Sequence, residues 1–295
     1  MASAKDSSSS VLSATKIASY AIQNPRFPNI EISQVSHRIR LVTFWDISDG
    51  ARVLEIGCGQ GNCTTVLAEA VGPTGHIDAV DPAPGDYGAP FTLAQAQAHI
   101  TASEIGNRIT WHQADPVQFL AASKEKWDFV VLSHCVWYFK SPSTLKTIFD
   151  KLVGRTGQVC FAEYALNASR ATGNAHVLAA LTRATLEAHR DSSANIQSPL
   201  SPAGIKTIAL ESQCWELSNE KTIIPESDLD DGRWEVGDVA HSQFLEEVKQ
   251  SIRDERINLL VKSMRDAVLT AIEANGGKEN IYTMDVWAGV FKTTK

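Results

Sequence analysis

The 295-residue chain is short of several things that would mark whole classes of protein. Its five cysteines, Cys58, Cys63, Cys135, Cys160 and Cys214, are odd in number, and no two have the C-x-x-C spacing of a zinc ribbon or a dithiol redox centre. Three lie in apolar, strand-like contexts, where a reduced thiol behaves as a small hydrophobe, so a reducing compartment, the cytoplasm, is expected. No apolar run is long enough to cross a bilayer, and no apolar segment follows the polar MASAKDSSSS start as a secretory signal requires. No membrane partner is therefore expected. Dense Lys/Arg runs are also missing, and a formal net charge of −7 repels phosphate backbones, which argues against nucleic acid. No His/Cys/carboxylate cluster has metal-ligand spacing, so no metal is expected. What remains is the composition of a soluble globular enzyme-sized chain, 43% hydrophobic and 21% charged.

Residues 1–12 are Ser-rich and expected to be disordered. The rest, 13–295, reads as one domain with a helical cap over 13–48 and helical inserts at about 165–200 and 226–276. In the cap, two prolines in NPRFPN separate a first helix from a second, EISQVSHRIRLVTFWD, with Val35, Ile39, Val42 and Trp45 on its apolar face. Then strands and helices alternate. RVLEIG, HIDAVDP, RITWHQAD, WDFVVLS and QVCFAEY read as strands; CTTVLAEAVG, TLAQAQAHITASEIG and STLKTIFDKLVG read as helices. That order predicts an α/β fold with a mostly parallel sheet covered on both faces. Beyond Tyr164 come an Ala-rich helix, the SPLSP break, a helix, and the strand-like CWELSNEKTII. A polar loop (ESDLDDGRWEVGD), a long helix from about His241 to Ala274 and a final β segment, YTMDVWAGVFKTT, complete the reading. The cap and inserts are placed to form a lid over the sheet's carboxyl edge, where open α/β sheets bind ligands.

The stretch VLEIGCGQGNCT concentrates the functional signal. Three glycines, Gly57, Gly59 and Gly61, follow a strand and precede a helix, the arrangement in which backbone approaches a nucleotide-like ligand closely. The spacing departs from the dinucleotide G-x-G-x-x-G, because Asn62 stands where the third glycine belongs. Asp81 closes the next strand, suited to a bidentate grip on vicinal ribose hydroxyls, and Asp115 closes the one after, suited to an exocyclic adenine amine. No Lys or Arg stands near the turn to meet a pyrophosphate, and Glu55 would repel one.

Glu55-x-Gly57-x-Gly59-x-Gly61, Asp81 at the end of HIDAVD and the Ala114–Asp115 pair together resemble the class I S-adenosylmethionine (SAM) dependent methyltransferases. That family's Rossmann-like sheet ends in an antiparallel strand, which the last two β segments fit. SHCVWYF (133–139) stands where the family's nucleic-acid branch carries N/D-P-P-Y, so the likeness is to the small-molecule branch. In texture the chain is similar to fungal secondary-metabolite tailoring methyltransferases. The resemblance implies that Glu55, Gly57, Cys58, Gly59 and Gly61 underlie the adenosyl moiety of SAM, with Asp81 and Pro82 at the ribose and Asp115 and Pro116 at the adenine. It also implies that the methyl points to the end of WDFVVLS, beside His134.

Candidate bases are His134 and Tyr138; His134 reads equally well as a cofactor contact. Trp137, Tyr138, Glu163 and Tyr164 are candidate acceptor-pocket residues, each with an alternative as core or structural hydrogen bonder. On the cap, His37, Arg38 and Arg40 offer either a partner for the cofactor carboxylate or a solvated basic face. His176, His189 and His241 lie on the inserts. The expected function is methyl transfer to a small hydrophobic metabolite, an oxygen acceptor slightly ahead of nitrogen or carbon, releasing S-adenosylhomocysteine (SAH). Two other readings keep the cofactor but not the transfer: a pericyclase-like catalyst and a SAM-sensing module.

Overall fold

The computed structural model describes residues 12–294. The expected disorder of residues 1–12 therefore lies outside the described residues except at Leu12, which packs partly buried against the core.

Two helices open the described chain, α1 (Ala14–Ala18) and α2 (Ile30–Trp45), and alternation follows: β1 (Arg52–Ile56), α3 (Asn62–Ala70), β2 (His76–Asp81), α4 (Leu93–Thr101), β3 (Ile109–Gln113), α5 (Pro116–Ala122), β4 (Trp127–Ser133), α6 (Pro142–Leu152) and β5 (Thr156–Tyr164). After β5 come α7 (Asn174–Glu187), α8 (Pro202–Leu210), β6 (Trp215–Ile223), α9 (Asp231–Ala240), α10 (Ser242–Ser251), α11 (Glu255–Ala274) and β7 (Val286–Thr293). The seven strands form one sheet in the order β3-β2-β1-β4-β5-β7-β6. β1 to β5 pair with one another in parallel, and β7 runs antiparallel between β5 and β6. The expected α/β class with an antiparallel last strand is what the chain adopts.

The strand order reverses between β1 and β4. Ile56 pairs in register with both Val80 and Leu132, so the glycine turn after β1, the loop after β2 and the Ser133–His134 step after β4 emerge together at one edge. That is the topological switch point at which open α/β sheets bind ligands.

Each face of the sheet buries its own core. One joins Val53, Ile77, Val131, Cys160 and Val290 to α1, α2 and α3. The other joins Leu54, Val130, Leu132, Phe161 and Phe291 to α6 and α8. A separate apolar cluster, including Ala175, Leu186, Val236, Phe244, Val248, Val261 and Val268, binds α7, α9, α10 and α11 to one another. These helices form a subdomain of their own above the sheet edge. The polar stretch read as a loop, ESDLDDGRWEVGD, is in large part α9. The long final helix is two, because Asp254 caps a new start by accepting from the amides of Arg256 and Ile257. Among the described residues no helix is long and apolar enough to cross a membrane.

Candidate functional site

All three glycines of the turn have positive φ: 76° at Gly57, 52° at Gly59 and 95° at Gly61. L-residues rarely adopt that region, and the surroundings add a separate constraint at each position. A Cβ on Gly57 would lie 2.4 Å from Cβ of Cys135, and one on Gly61 would lie 2.7 Å from Cδ1 of Ile100, so these two are packed shut. A Cβ on Gly59 would meet nothing within 4 Å. Gly59 thus forms the open floor of the turn, at the N-terminal end of α3, whose first amides have no intrahelical acceptor. The contrast gives a prediction. Gly57→Ala should lower the melting temperature strongly, whereas Gly59→Ala should cost only about 1–2 kcal/mol of stability. If the turn carries SAM as its resemblance implies, Gly59→Ala should nevertheless weaken SAM at least tenfold by calorimetry, since its methyl would project into the open space above the turn.

Glu55 does not line this open floor. It is 1% exposed, lies beneath the turn, and takes a 2.5 Å hydrogen bond from the Thr64 hydroxyl in the first turn of α3. Burial pushes its carboxyl up to about 8, with Thr64 and Arg38 pulling the other way. A carboxyl raised above its unfolded value stabilises most where both states are protonated. Between the unfolded value and about pH 8 the unfolded chain has lost the proton that the folded chain keeps, so stability falls as pH rises. Glu55→Gln should therefore gain stability relative to the parent as pH is raised from about 5.5 to 8, by at most about 3 kcal/mol, read as a widening gap in melting temperature. A gap that narrows over that range contradicts this placement of the proton.

Asp81 is stitched between two loops. One carboxylate oxygen accepts from the Gly59 amide at 2.8 Å and the other from the Ala83 amide at 2.9 Å. A carboxylate has about four acceptor sites, so both oxygens keep capacity for hydroxyl donors. Gln97 Nε2 donates to the Gly59 carbonyl at 2.9 Å, fixing the turn from α4. A small cavity of about 30 Å³ opens here, lined by Asp81, Ala83, Leu93, Gln97 and Gln113. A larger solvent-open depression of about 490 Å³ lies at the other end of the strands, beside Asp49 and Gly157, away from the glycine turn and its chemistry. Pro82 is exposed beside Asp81. Asp115 is exposed and caps α5, accepting from the Gln118 amide at 2.9 Å, with the buried Pro116 as the first helical residue.

The methyl end of the site is built around His134. Its backbone is left-handed (φ 52°) and its amide donates to the Ala162 carbonyl at 2.8 Å, which turns the side chain inward to 9% exposure. Its Nε2 is 3.0 Å from Nε2 of His37 on α2. Its Nδ1 is 3.8 Å from Oε1 of Glu163, too far for a hydrogen bond. Glu163 is itself buried and fully engaged: Oε2 accepts from the amides of Val136 (3.0 Å) and Trp137 (3.4 Å), and Oε1 from that of Tyr164 (3.0 Å). Burial holds the His37 imidazole well below its usual range, with His134 and the α2 arginines adding to the effect, so His37 stays neutral.

The Tyr164 ring packs 4.7 Å from His134, 5.3 Å from Trp137 and 5.0 Å from His176. Its hydroxyl donates to Oδ1 of Asp231 on α9 at 3.0 Å, and Gln34 of α2 donates to Oδ2 at 2.7 Å. One carboxylate thus ties the cap, the sheet edge and the insert helix together. His176 Nδ1 accepts from the Met284 amide at 3.0 Å, so its Nε2 carries the proton and donates to Glu235 at 2.8 Å.

Trp137, expected as a pocket wall, is 2% exposed and works as an anchor. Its indole donates to the Leu200 carbonyl at 3.0 Å, and its own carbonyl accepts from Gln197 and Ser198. Tyr138 is 48% exposed, with Tyr87, Glu235 and Asp231 in electrostatic reach of its hydroxyl. Cys58 and Cys63 are buried free thiols, pushed up by burial. Of the basic residues on α2, Arg40 turns away to the Ile224 carbonyl and Glu226. Arg38 stays at the site, bonded to Gln34, with its Nε buried and unpartnered. His189 is exposed, and His241 caps α10. The pairings His37–His134 and Gln34–Asp231–Tyr164 span long sequence separations and carry no local motif, so no spacing in the sequence marks them.

These residues fit SAM. Gly59 offers a floor with room for a ligand, Asp81 has acceptor capacity for ribose hydroxyls, and the unpartnered Nε of Arg38 can serve the methionine carboxylate.

A family profile described as "Methyltransferase domain" matches residues 31–206. Methyltransferase phomM' of Diaporthe leptostromiformis is 28% identical over 88% of this chain and 84% of its own length, and methyltransferase phomM of the same fungus matches equally. The solved structure of a cyclopropane-fatty-acyl-phospholipid synthase-like protein from Lactobacillus casei superposes with a TM-score of 0.82 at 26% identity, covering 95% of this chain and 98% of that one. With a glycine turn, Asp81 and Asp115 at consecutive strand ends and a family match over more than half its length, the chain belongs to the methyltransferase-domain family and is a SAM-dependent methyltransferase.

Proposed function

We propose that the protein methylates a small, hydrophobic metabolite on a hydroxyl group, within a pocket closed by α2, α7 and α9, and that His134 removes the hydroxyl proton. The observation that carries this reading is the buried, unpartnered Nδ1 of His134 beside the carboxylate of Glu163. SAM, when bound, supplies an electrophilic methyl on a sulfonium. This chain's residues do the rest. The Asp231 bonds to Tyr164 and Gln34 hold cap and insert helix together, which supports an enclosed, water-poor site where orientation lowers the barrier. Tyr138 and Tyr164 supply aromatic surface to an apolar acceptor. The proton taken by Nδ1 puts positive charge on the imidazole 3.8 Å from Glu163, whose carboxylate offsets it. A hydroxyl needs such a base, whereas a neutral amine attacks without one, which favours oxygen.

The similarity to the fungal phomM methyltransferases supports a small acceptor. The test is a screen of small apolar phenols and matched amines with deuterated-methyl SAM, read by mass spectrometry. One labelled methyl on phenols, with SAH formed in equal amount, is the expected result. Transfer confined to amines overturns the oxygen assignment, and SAM consumed without any labelled product overturns the transfer itself.

A further inference from the structure

We propose that His37 is a positioning residue: its neutral Nε2 accepts the Nε2–H of His134, fixes that tautomer, and leaves Nδ1 of His134 as the free basic nitrogen. This rests on the reading of His134 as the base and adds a second residue to it.

The argument begins with the 3.0 Å separation of the two Nε2 atoms. One hydrogen lies between them, so one ring donates and the other accepts. His134 can offer a lone pair at Nδ1 only if its own proton is on Nε2, and His37 must then accept. A neutral His37 can accept at Nε2 with its own proton on Nδ1, which is buried and makes no hydrogen bond among the described residues. His37 lies 4% exposed on α2, and burial together with Arg38 and Arg40 keeps the imidazole neutral. The two rings are tilted 44° with centroids 5.2 Å apart, an in-plane approach of nitrogens rather than a stack.

The other neighbours of His134 leave this role to His37. The Tyr164 ring packs against it, but the Tyr164 hydroxyl is committed to Asp231. Glu163 lies beyond hydrogen-bond distance and is occupied by three amides. His176 faces the far side of Tyr164 and is committed to Glu235 and the Met284 amide. Among the described residues no other group hydrogen-bonds to the His134 ring.

The step balances as follows. The acceptor oxygen forms its bond to the methyl carbon while the carbon–sulfur bond breaks, its electron pair staying on sulfur. The hydroxyl proton passes to Nδ1 of His134. The resulting imidazolium donates through Nε2–H to His37 and presents Nδ1–H toward Glu163. The proton leaves to solvent after product release.

Tautomers of histidine are read directly from long-range proton–nitrogen NMR spectra of the full chain labelled with ¹⁵N-histidine and saturated with SAH. The eight histidines are assigned by single substitution. The wild-type protein is expected to hold His134 in the Nε2–H form, with His37 kept neutral by burial. His37→Leu should give His134 a mixed tautomer signature. His37→Asn, whose amide oxygen can accept, should restore the single Nε2–H form.

A proton on Nδ1 of His134 in the wild type overturns the proposal. So does a His37→Leu spectrum unchanged at His134, or an Asn variant indistinguishable from Leu. Should the Leu variant not fold, the wild-type tautomer and the Asn variant still decide. Full turnover of an accepted phenol by His134→Gln overturns the base reading itself. Lost turnover in that variant, with the wild-type His134 proton found on Nδ1, overturns the role given to His37 and the choice of Nδ1 as the basic nitrogen, while leaving His134 necessary for transfer.

Discussion

Asp81→Ala lowers the affinity for SAM about 100-fold while leaving the sheet folded. The size follows from what the side chain does. The ribose contact proposed for its carboxylate would be lost, and a hydrogen bond to a charged group contributes about 1.5–3 kcal/mol. Losing such contacts from a partly buried site corresponds to about two powers of ten in affinity. The same carboxylate also holds the Gly59 and Ala83 amides at 2.8 and 2.9 Å, so the substitution loosens the glycine turn as well. Calorimetric titration gives the affinity, and melting with and without SAH separates the two effects. A lost ribose contact shrinks the stabilisation by ligand, whereas a loosened turn lowers the melting temperature of the free protein. Unchanged SAM affinity would show that the ribose lies elsewhere.

The second large effect is on turnover. His134→Ala should reduce kcat on an accepted phenol by about 10²–10⁴, the usual range for a positioned general base. Its affinity for SAM should stay within about threefold of the parent. That separation matters because a residue that only contacts SAM would lose binding and turnover together. Equal losses in both would make it a cofactor contact. Glu163→Gln is a poorer probe of the base, since its carboxylate accepts from three backbone amides and the substitution disturbs the β5 edge itself.

The parts of the site legible in sequence are those written locally. Gly57, Gly59 and Gly61 stand in one turn, and Asp81 and Asp115 each close a strand whose apolar run is plain. The parts that were not legible depend on packing. α9 reads as a loop because DDGRWEVGD is charged and carries two glycines, both unfavourable in a helix. Its environment explains one of them: a Cβ on Gly232 would lie 2.8 Å from the Thr283 backbone, so the helix approaches the chain before β7 where only glycine fits. The Gly232 amide donates to the Thr283 hydroxyl, which fixes the contact. The start of α5 is local, written in Asp115-Pro116 as a capping side chain followed by proline at the first helical position, but the same two residues also suit an adenine contact, which masks the helix signal. Trp137 illustrates a different limit. Its size suggests a wall, but the Leu200 carbonyl that its indole meets is far along the chain, in the SPLSP segment.

The His37–His134 pair sits at the same limit. The sequence places His37 on a helix face with two arginines, and nothing local says that His37 and Arg38 turn inward while Arg40 turns out to Glu226. The fold decides it by laying α2 across the edge where β1 and β4 end.

The account's central claim is that the floor formed by Gly59 and Asp81 holds SAM for transfer, and calorimetric titration with SAM and then SAH tests it most directly. The account predicts one site per chain for each, with SAH bound at least as tightly as SAM, as a turning-over transferase requires. Absence of binding by both would contradict it at the root, and SAM binding without SAH binding would contradict the transfer.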